Sequence, residues 1–282
     1  MELYKGNGEK ITIESDYTFA IGRPWADVLH RGWHSGVPEN TIPAYHLVKV
    51  NGYEWGEVDV RLTSDLIPVA AHDTTVTGTL NGVSTTLTVA ESTAAEVTAL
   101  VLATHKDYGE IHIPTLAELL DFARCNRIGL VLDVKNTNVD DTEEGKIYAQ
   151  TVMESGWAEH CIYMPYSTTM AAAIQTIDHN ASFDFVSAVN SKANLPNLEP
   201  YTALLTGANT VGFDFNANIT DAEGGIPDDV FEAVRAAGLS VSFWGVHSGA
   251  YMTYYDKGPL RVTSAVSNVG LGETYLNSKK FW

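Results

Sequence analysis

From about residue 26 onward, short apolar runs of strand length alternate with longer amphipathic segments, and this rhythm does most to narrow the fold. It is the pattern of βα units stacked around a parallel sheet, whereas a sandwich would show many short strands at even spacing. The strand candidates are ADVLH (26–30), GEVDVRL (56–62), PVAAH (68–72), GLVLDVK (129–135), CIYM (161–164), FDFVSAV (183–189), TVGFDF (210–215), LSVSFWGV (239–246) and RVTSAV (261–266). A (β/α)8 barrel has eight places, so one of these nine candidates lies outside the ring or is not a strand. Between them TIPAYHLVKV, PTLAELLDFARC, DTEEGKIYAQTVMESG and PDDVFEAVRAAG read as helices, several opening on Thr, Asp or Pro and closing near Gly. The chain length of 282 residues accommodates two average domains or one barrel of about 250 residues. The rhythm selects the α/β barrel.

Two stretches depart from it. Residues 74–113 carry Thr-rich, strand-like pieces and a brief helical stretch near Ala94–Leu102, and read as a small insertion after the third strand, over one face of the barrel. Residues 1–25 are surplus to the barrel, which would occupy 26–282, and form an N-terminal extension that is β-prone around Lys10–Ile13. No internal repeat or low-complexity tract is visible.

Composition removes several classes of function. With 45% hydrophobic and 18% charged residues this is the make-up of a soluble globular protein. Seventeen basic against 35 acidic residues leave a net charge of −18, which repels nucleic acid and anionic membrane at long range. An anionic substrate then requires a strong local positive site, from a metal ion or from placed Arg and Lys. No segment approaches the ~18 uninterrupted apolar residues of a membrane span. The start MELYKGNGEKITIESD has no secretory signal pattern, so the sequence leaves the compartment open between cytoplasm and exterior. Cys125 and Cys161 make no metal spacing and at most one bridge, and read as buried thiols.

In a parallel barrel the chemistry gathers at the C-terminal ends of the strands. The first strand ends in His30-Arg31-Gly32, the second carries Glu57 and Asp59, the third ends in His72-Asp73, and the fourth in Asp133-Val134-Lys135. Side chains two apart on a strand share a face, so Glu57 and Asp59 project side by side with Arg61 next along. Two like charges so placed need compensation, from a bound divalent cation or from water at an exposed edge. An alternating acid pair is commonly a solvated face, and Asp133 with Lys135 alone could be a same-face ion pair. Joint placement is what argues for a site, because a buried cluster of this kind is costly unless paired or coordinated. The other histidines, at 34, 46, 105, 112, 160, 179 and 247, take no role in this reading.

The runs 30-HRGWHSGVPENT-41, 57-EVDVRLTSD-65, 72-HD-73, 114-PTLAELL-120 and 132-LDVK-135 resemble, in order and spacing, the glycerophosphodiester phosphodiesterases, over roughly residues 26 to 270. The resemblance implies a TIM barrel of the PLC-like phosphodiesterase type that hydrolyses glycerophosphodiesters to glycerol phosphate and an alcohol. It implies that Glu57, Asp59 and Asp133 bind one divalent ion, Ca²⁺ or Mg²⁺, since oxygen-only ligands suit hard cations. Arg31 and Lys135 would hold the remaining phosphate oxygens. In the family a hydroxyl of the substrate's own glycerol attacks first, giving a cyclic phosphate that water opens; two imidazoles suit that path, with His72 as base and His30 as acid. Glu39 in PENT matches a position at the rim of the site and, with Asn40, would order the first loop; capping of the following helix is the other role open to both. Trp244 matches the aromatic residue that packs on the glycerol.

Three departures from the family pattern bear on the site. Asp133 stands where these enzymes usually carry Glu, an arrangement shared with the related sphingomyelinase D enzymes. SFWGVHSG replaces the usual Trp-Thr-Val-Asn, and 263-TSAVSN-268 stands where a strand commonly ends in Thr-Asp. Two other functions share the fold: a phospholipase D or sphingomyelinase D-like enzyme, and a non-catalytic module binding glycerophosphate polymers such as teichoic acid. The surplus N-terminus is compatible with a place in a larger envelope or phage-tail assembly.

Overall fold

The computed structural model describes residues 27–135, 139–187, 189, 191–216, 226, 228–244 and 265–267. In chain order the strands are β1 (Asp27–Leu29), β2 (Trp55–Leu62), β3 (Pro68–Ala70), β4 (Thr75–Leu80), β5 (Val83–Thr88), β6 (Val101–His105), β7 (Gly109–His112), β8 (Gly129–Val134), β9 (Cys161–Met164), β10 (Ser182–Ser187), β11 (Val211–Asn216), β12 (Ser240–Trp244) and β13 (Ala265–Ser267). The α-helices are α1 (Ile42–Val50), α2 (Ala94–Thr98), α3 (Leu116–Asn126), α4 (Asp141–Ser155), α5 (Thr168–Gln175), α6 (Glu199–Thr202) and α7 (Asp228–Ala236).

Nine strands form the main sheet in the order β1-β13-β12-β11-β10-β9-β8-β2-β3, and a further β1–β2 pairing closes it. Without β3, the remaining eight pair in parallel all the way round, which is a (β/α)8 barrel. The surplus candidate is therefore PVAAH: its ordered part, β3, runs antiparallel to β2 with Val60 opposite Ala70. The reason is the short connection at 63–67. A parallel return needs a crossover of about a dozen residues, whereas this tight link, where Thr63 Oγ1 meets Asp65 Oδ1 at 2.6 Å and Ile67 O at 2.9 Å, permits only a hairpin. The strand carrying Asp133 is thus the third of the barrel, not the fourth, and the insertion that follows β3 falls between barrel strands two and three.

Residues 75–112 supply a separate four-stranded antiparallel sheet, β5-β4-β6-β7. A small cluster of Val69, Ala71, Val89, Ala94, Val97 and Ile113 packs beneath it. Residues 1–25, including the β-prone stretch, lie outside the described residues.

The helices form where the sequence supplies a cap and an apolar stripe. Thr115 and Glu118 make a reciprocal capping box at the start of α3, whose buried Leu116, Leu119, Leu120 and Ala123 recur at helical spacing. Cys125 falls off that stripe and is exposed, so the expectation of two buried thiols holds only for Cys161. Asp140 caps α4, and Gly156 ends it at φ 67°. No helix among the described residues is long and apolar enough to cross a membrane.

Outward-facing Val58, Val60, Leu130, Leu132, Phe183 and Phe213 join the helices in one large core. Inside the barrel, Val28, Trp55, Val131 and Met164 form a second, apolar cluster. Trp55 pairs in register with Gly129, whose missing side chain is essential: a Cβ there would lie 2.5 Å from the indole ring.

Candidate active site

Because Val58 and Val60 face outward, alternation turns Glu57, Asp59 and Arg61 into the barrel. β8 pairs beside β2 with Asp133 directly opposite Asp59. One carboxylate oxygen from each of Glu57, Asp59 and Asp133 lies within 4.8 Å of the others. Glu57 and Asp59 are buried, at 2% and 1% exposure.

The HRG segment is built to reach this cluster. Arg31 sits at φ 57° and Gly32 at φ 76°, and a Cβ on Gly32 would meet the backbone of Ala44 in α1 at 3.0 Å. The turn aims the Arg31 backbone N–H at Glu57 Oε2, 2.8 Å away. Its guanidinium then bridges Glu39 Oε1, 2.7 Å from Nη1, and Asp59 Oδ2, 3.1 Å from Nε. Asn40, also left-handed at φ 55°, donates from its side-chain amide to Asp59 Oδ2 at 2.8 Å. The helix cap is Thr41, and the side chains of Glu39 and Asn40 are engaged with Arg31 and Asp59.

Lys135 Nζ lies 2.8 Å from Asp59 Oδ1 and also contacts Asp133 Oδ2. Burial alone would lower the Lys135 pKa, yet Asp133 and Asp59 raise it, so the ammonium stays charged. Burial tends to raise Asp59 too, but Lys135, Asn40 and Arg31 outweigh it and hold this carboxyl below its usual range. Burial, then the neighbouring Asp59 and Asp133, push Glu57 well above the usual range; the Arg31 N–H and Lys135 oppose the shift but are outweighed. Asp133 is raised by burial, partly opposed by Lys135 and further raised by Asp59. Among the described residues, three carboxylates thus face two cations, and Glu57 Oε1 is buried with no hydrogen-bond partner. An oxygen-only donor set, short of positive charge and holding an orphaned anionic oxygen, fits a hard divalent cation.

Both expected imidazoles border this cluster. His30 Nε2 lies 3.9 Å from Glu57 Oε2. Ala71 N–H donates to Asp59 O at 3.0 Å and Arg61 Nε to His72 O at 2.8 Å, which folds the end of β3 over the top of β2 and carries His72 to the rim. His72 Nδ1 meets Asp73 Oδ1 at 2.8 Å. Trp244 ends β12, and its side chain lies outside the described residues, as do His247 and the 245–250 segment.

Sequence reasoning missed two aromatic neighbours. The fully buried Tyr45 of α1 donates its hydroxyl to Glu57 O at 2.6 Å, pinning the strand beneath the cluster. Tyr166 follows β9 and is 59% exposed; partial burial, then the nearby Asp133, raise its pKa. Its position two residues beyond a barrel strand was the available signal.

The glycerophosphoryl diester phosphodiesterase family model matches residues 30–260. The chain belongs to that family. Among curated members, glycerophosphodiester phosphodiesterase 1 of Homo sapiens is 31% identical over 143 residues, 49% of this chain and 42% of the relative. The chain therefore spans less than half the length of that relative. Two solved structures share the fold: a glycerophosphodiester phosphodiesterase from Parabacteroides distasonis (TM-score 0.71, 18% identity, 92% of this chain and 99% of that one), and an Oleispira antarctica phosphodiesterase in complex with the product sn-glycerol-3-phosphate (TM-score 0.69, 19% identity, 90% and 97%). Within this glycerophosphoryl diester phosphodiesterase barrel, the short Asp133 still brings an oxygen within 4.8 Å of its partners, so loss of one methylene does not break the cluster.

Proposed function

We propose that this chain hydrolyses glycerophosphodiesters to glycerol phosphate and an alcohol, with Glu57, Asp59 and Asp133 holding one divalent cation, Ca²⁺ or Mg²⁺. The observation that carries the reading is the convergence of those three carboxylates between His30 and the rim bearing His72. Such an ion, when bound, offsets negative charge developing on the phosphoryl oxygens.

The chain's own groups do the rest. Lys135 spends two of its three donors on Asp59 and Asp133 and keeps one for a phosphate oxygen. Arg31 spends Nε and Nη1 on carboxylates and presents Nη2. With Asp73 accepting from Nδ1, the neutral His72 ring carries its lone pair on Nε2, the nitrogen suited to take a proton from the attacking hydroxyl. His30 returns a proton to the leaving oxygen. Glu39 holds Arg31 in place, and Trp244, at the end of β12, is the residue assigned to pack on the glycerol.

The test is a panel of glycerophosphodiesters incubated with the full chain, with and without EDTA, followed by assay for glycerol phosphate. Release that stops with EDTA and returns with Ca²⁺ or Mg²⁺ is the expected result. EDTA-insensitive release would remove the ligand assignment. Choline release from lysophospholipid vesicles with no glycerol phosphate would favour phospholipase D-like chemistry, and binding without turnover would favour a glycerophosphate-polymer module.

A further inference from the structure

β10 and β11 carry two more acids, Asp184 and Asp214, that the proposed hydrolysis does not use. Their neighbours Phe185 and Phe213 pack outward on Tyr201 of α6, and Phe215 packs on Phe231 of α7, so alternation turns both aspartates into the barrel. Asp214 is wholly buried, and among the described residues neither of its carboxylate oxygens has a hydrogen-bond partner within bonding geometry. Asp184 Oδ1 is likewise buried and unpartnered. Ser242 of β12, opposite Asp214 in register, gives its hydroxyl proton to Asp184 Oδ2 at 2.5 Å.

No cation among the described residues answers these carboxylates. Burial pushes Asp184 up to about 7, against the Ser242 hydroxyl, which lowers it. Asp214 is raised well above the usual range by burial and by Asp184; the nearby Ser242 hydroxyl opposes this and Asp133 adds to it. Around the pair the inner face bears Gly212, Ser240 and Ser242, small side chains where parallel barrels usually pack bulky branched ones.

We propose that Asp184 and Asp214, with the Ser242 hydroxyl, form a second cation site inside the barrel, suited to a hard, oxygen-seeking ion such as Ca²⁺. A single shared proton joins at most two of the three orphaned oxygens and leaves a net negative charge. One divalent ion can serve all three and neutralise both carboxylates, and the donors are all oxygen. These residues are not part of the Glu57–Asp59–Asp133 cluster, and the inference stands independently of the hydrolytic reading.

Calcium stoichiometry tests it. The full chain is stripped with EDTA, dialysed against CaCl₂, and its bound calcium counted by mass spectrometry, with folding followed by circular dichroism. Two ions per wild-type chain and one in Asp214→Asn are expected, with one also in Glu57→Gln through loss of the other site. Equal counts in wild type and a folded Asp214→Asn overturn the proposal. Should Asp214→Asn fail to fold, Ser242→Ala removes only the hydroxyl and should weaken one of the two calcium affinities by roughly tenfold or more; an unchanged calorimetric isotherm would overturn it equally. A Glu57→Gln chain that keeps two ions while Asp214→Asn keeps one would refute the hydrolytic ligand set and leave this site standing.

Discussion

The Asn40 side chain grips Asp59 twice: its amide donates to Oδ2 at 2.8 Å, and its carbonyl accepts the Asp59 backbone N–H at 3.2 Å. Both partners are buried, so Asn40→Ala strips a buried charge of a donor and leaves an amide unpaired. The expected cost is roughly 2–4 kcal/mol, since hydrogen bonds to charged groups are worth about 1.5–3 and an orphaned buried group costs about 1–3. A denaturant midpoint unchanged from wild type would show that the contact carries no weight.

His72→Ala should lower kcat on a glycerophosphodiester by about 10²–10⁴, the usual worth of an acid-base group. The circular dichroism spectrum should not change, because the ring is at the rim. A loss smaller than about tenfold would rule out His72 as the base.

Lys135→Met removes the cation from between Asp59 and Asp133. In metal-free protein this should cost roughly 3–5 kcal/mol, the scale of breaking a buried pair from one side. Calcium should restore much of the loss, because a ligand bound only by the native state stabilises it by mass action. Thermal melts of wild type and variant, with and without calcium, measure both effects.

The pH dependence follows from Asp184, raised from its usual 3.8 to about 7 chiefly by burial. Between those values the native chain holds a proton that the unfolded chain has lost, so this group's contribution to stability falls as pH rises through the window. Metal-free Asp184→Asn should show a shallower decline from pH 4 to 7 than wild type. A slope identical to wild type would remove Asp184 as the cause.

The βα rhythm was legible because strands and helices alternate in apolar period, and the acids at 57, 59 and 133 were legible because charge inside a strand pattern is unusual. PVAAH misled because a three-residue antiparallel strand has the same apolar composition as a barrel strand; only the short 63–67 link distinguishes them, through the hairpin it enforces. In the sequence Asn40 reads as a rim or capping residue, and its grip on Asp59 is not legible there because contacts across 19 positions depend on the turn that Arg31 and Gly32 make. Asp184 and Asp214 lay in aromatic runs, FDF and GFDF, where alternation alone would have turned them inward. Their lack of partners emerges only from the closed ring.

Trp55, laid flat over Gly129 with Val28, Val131 and Met164 around it, acts as a stopper at one end of the barrel. The medium on that side of Glu57 and Asp59 is apolar and polarises poorly. A charge there is screened less than at the surface, so the proposed ion would be drawn to these acids more strongly than to the acidic exterior. Widening residue 129 by a single methyl would displace the indole, 2.5 Å from such a Cβ, and weaken that attraction without touching any residue proposed to meet the ion.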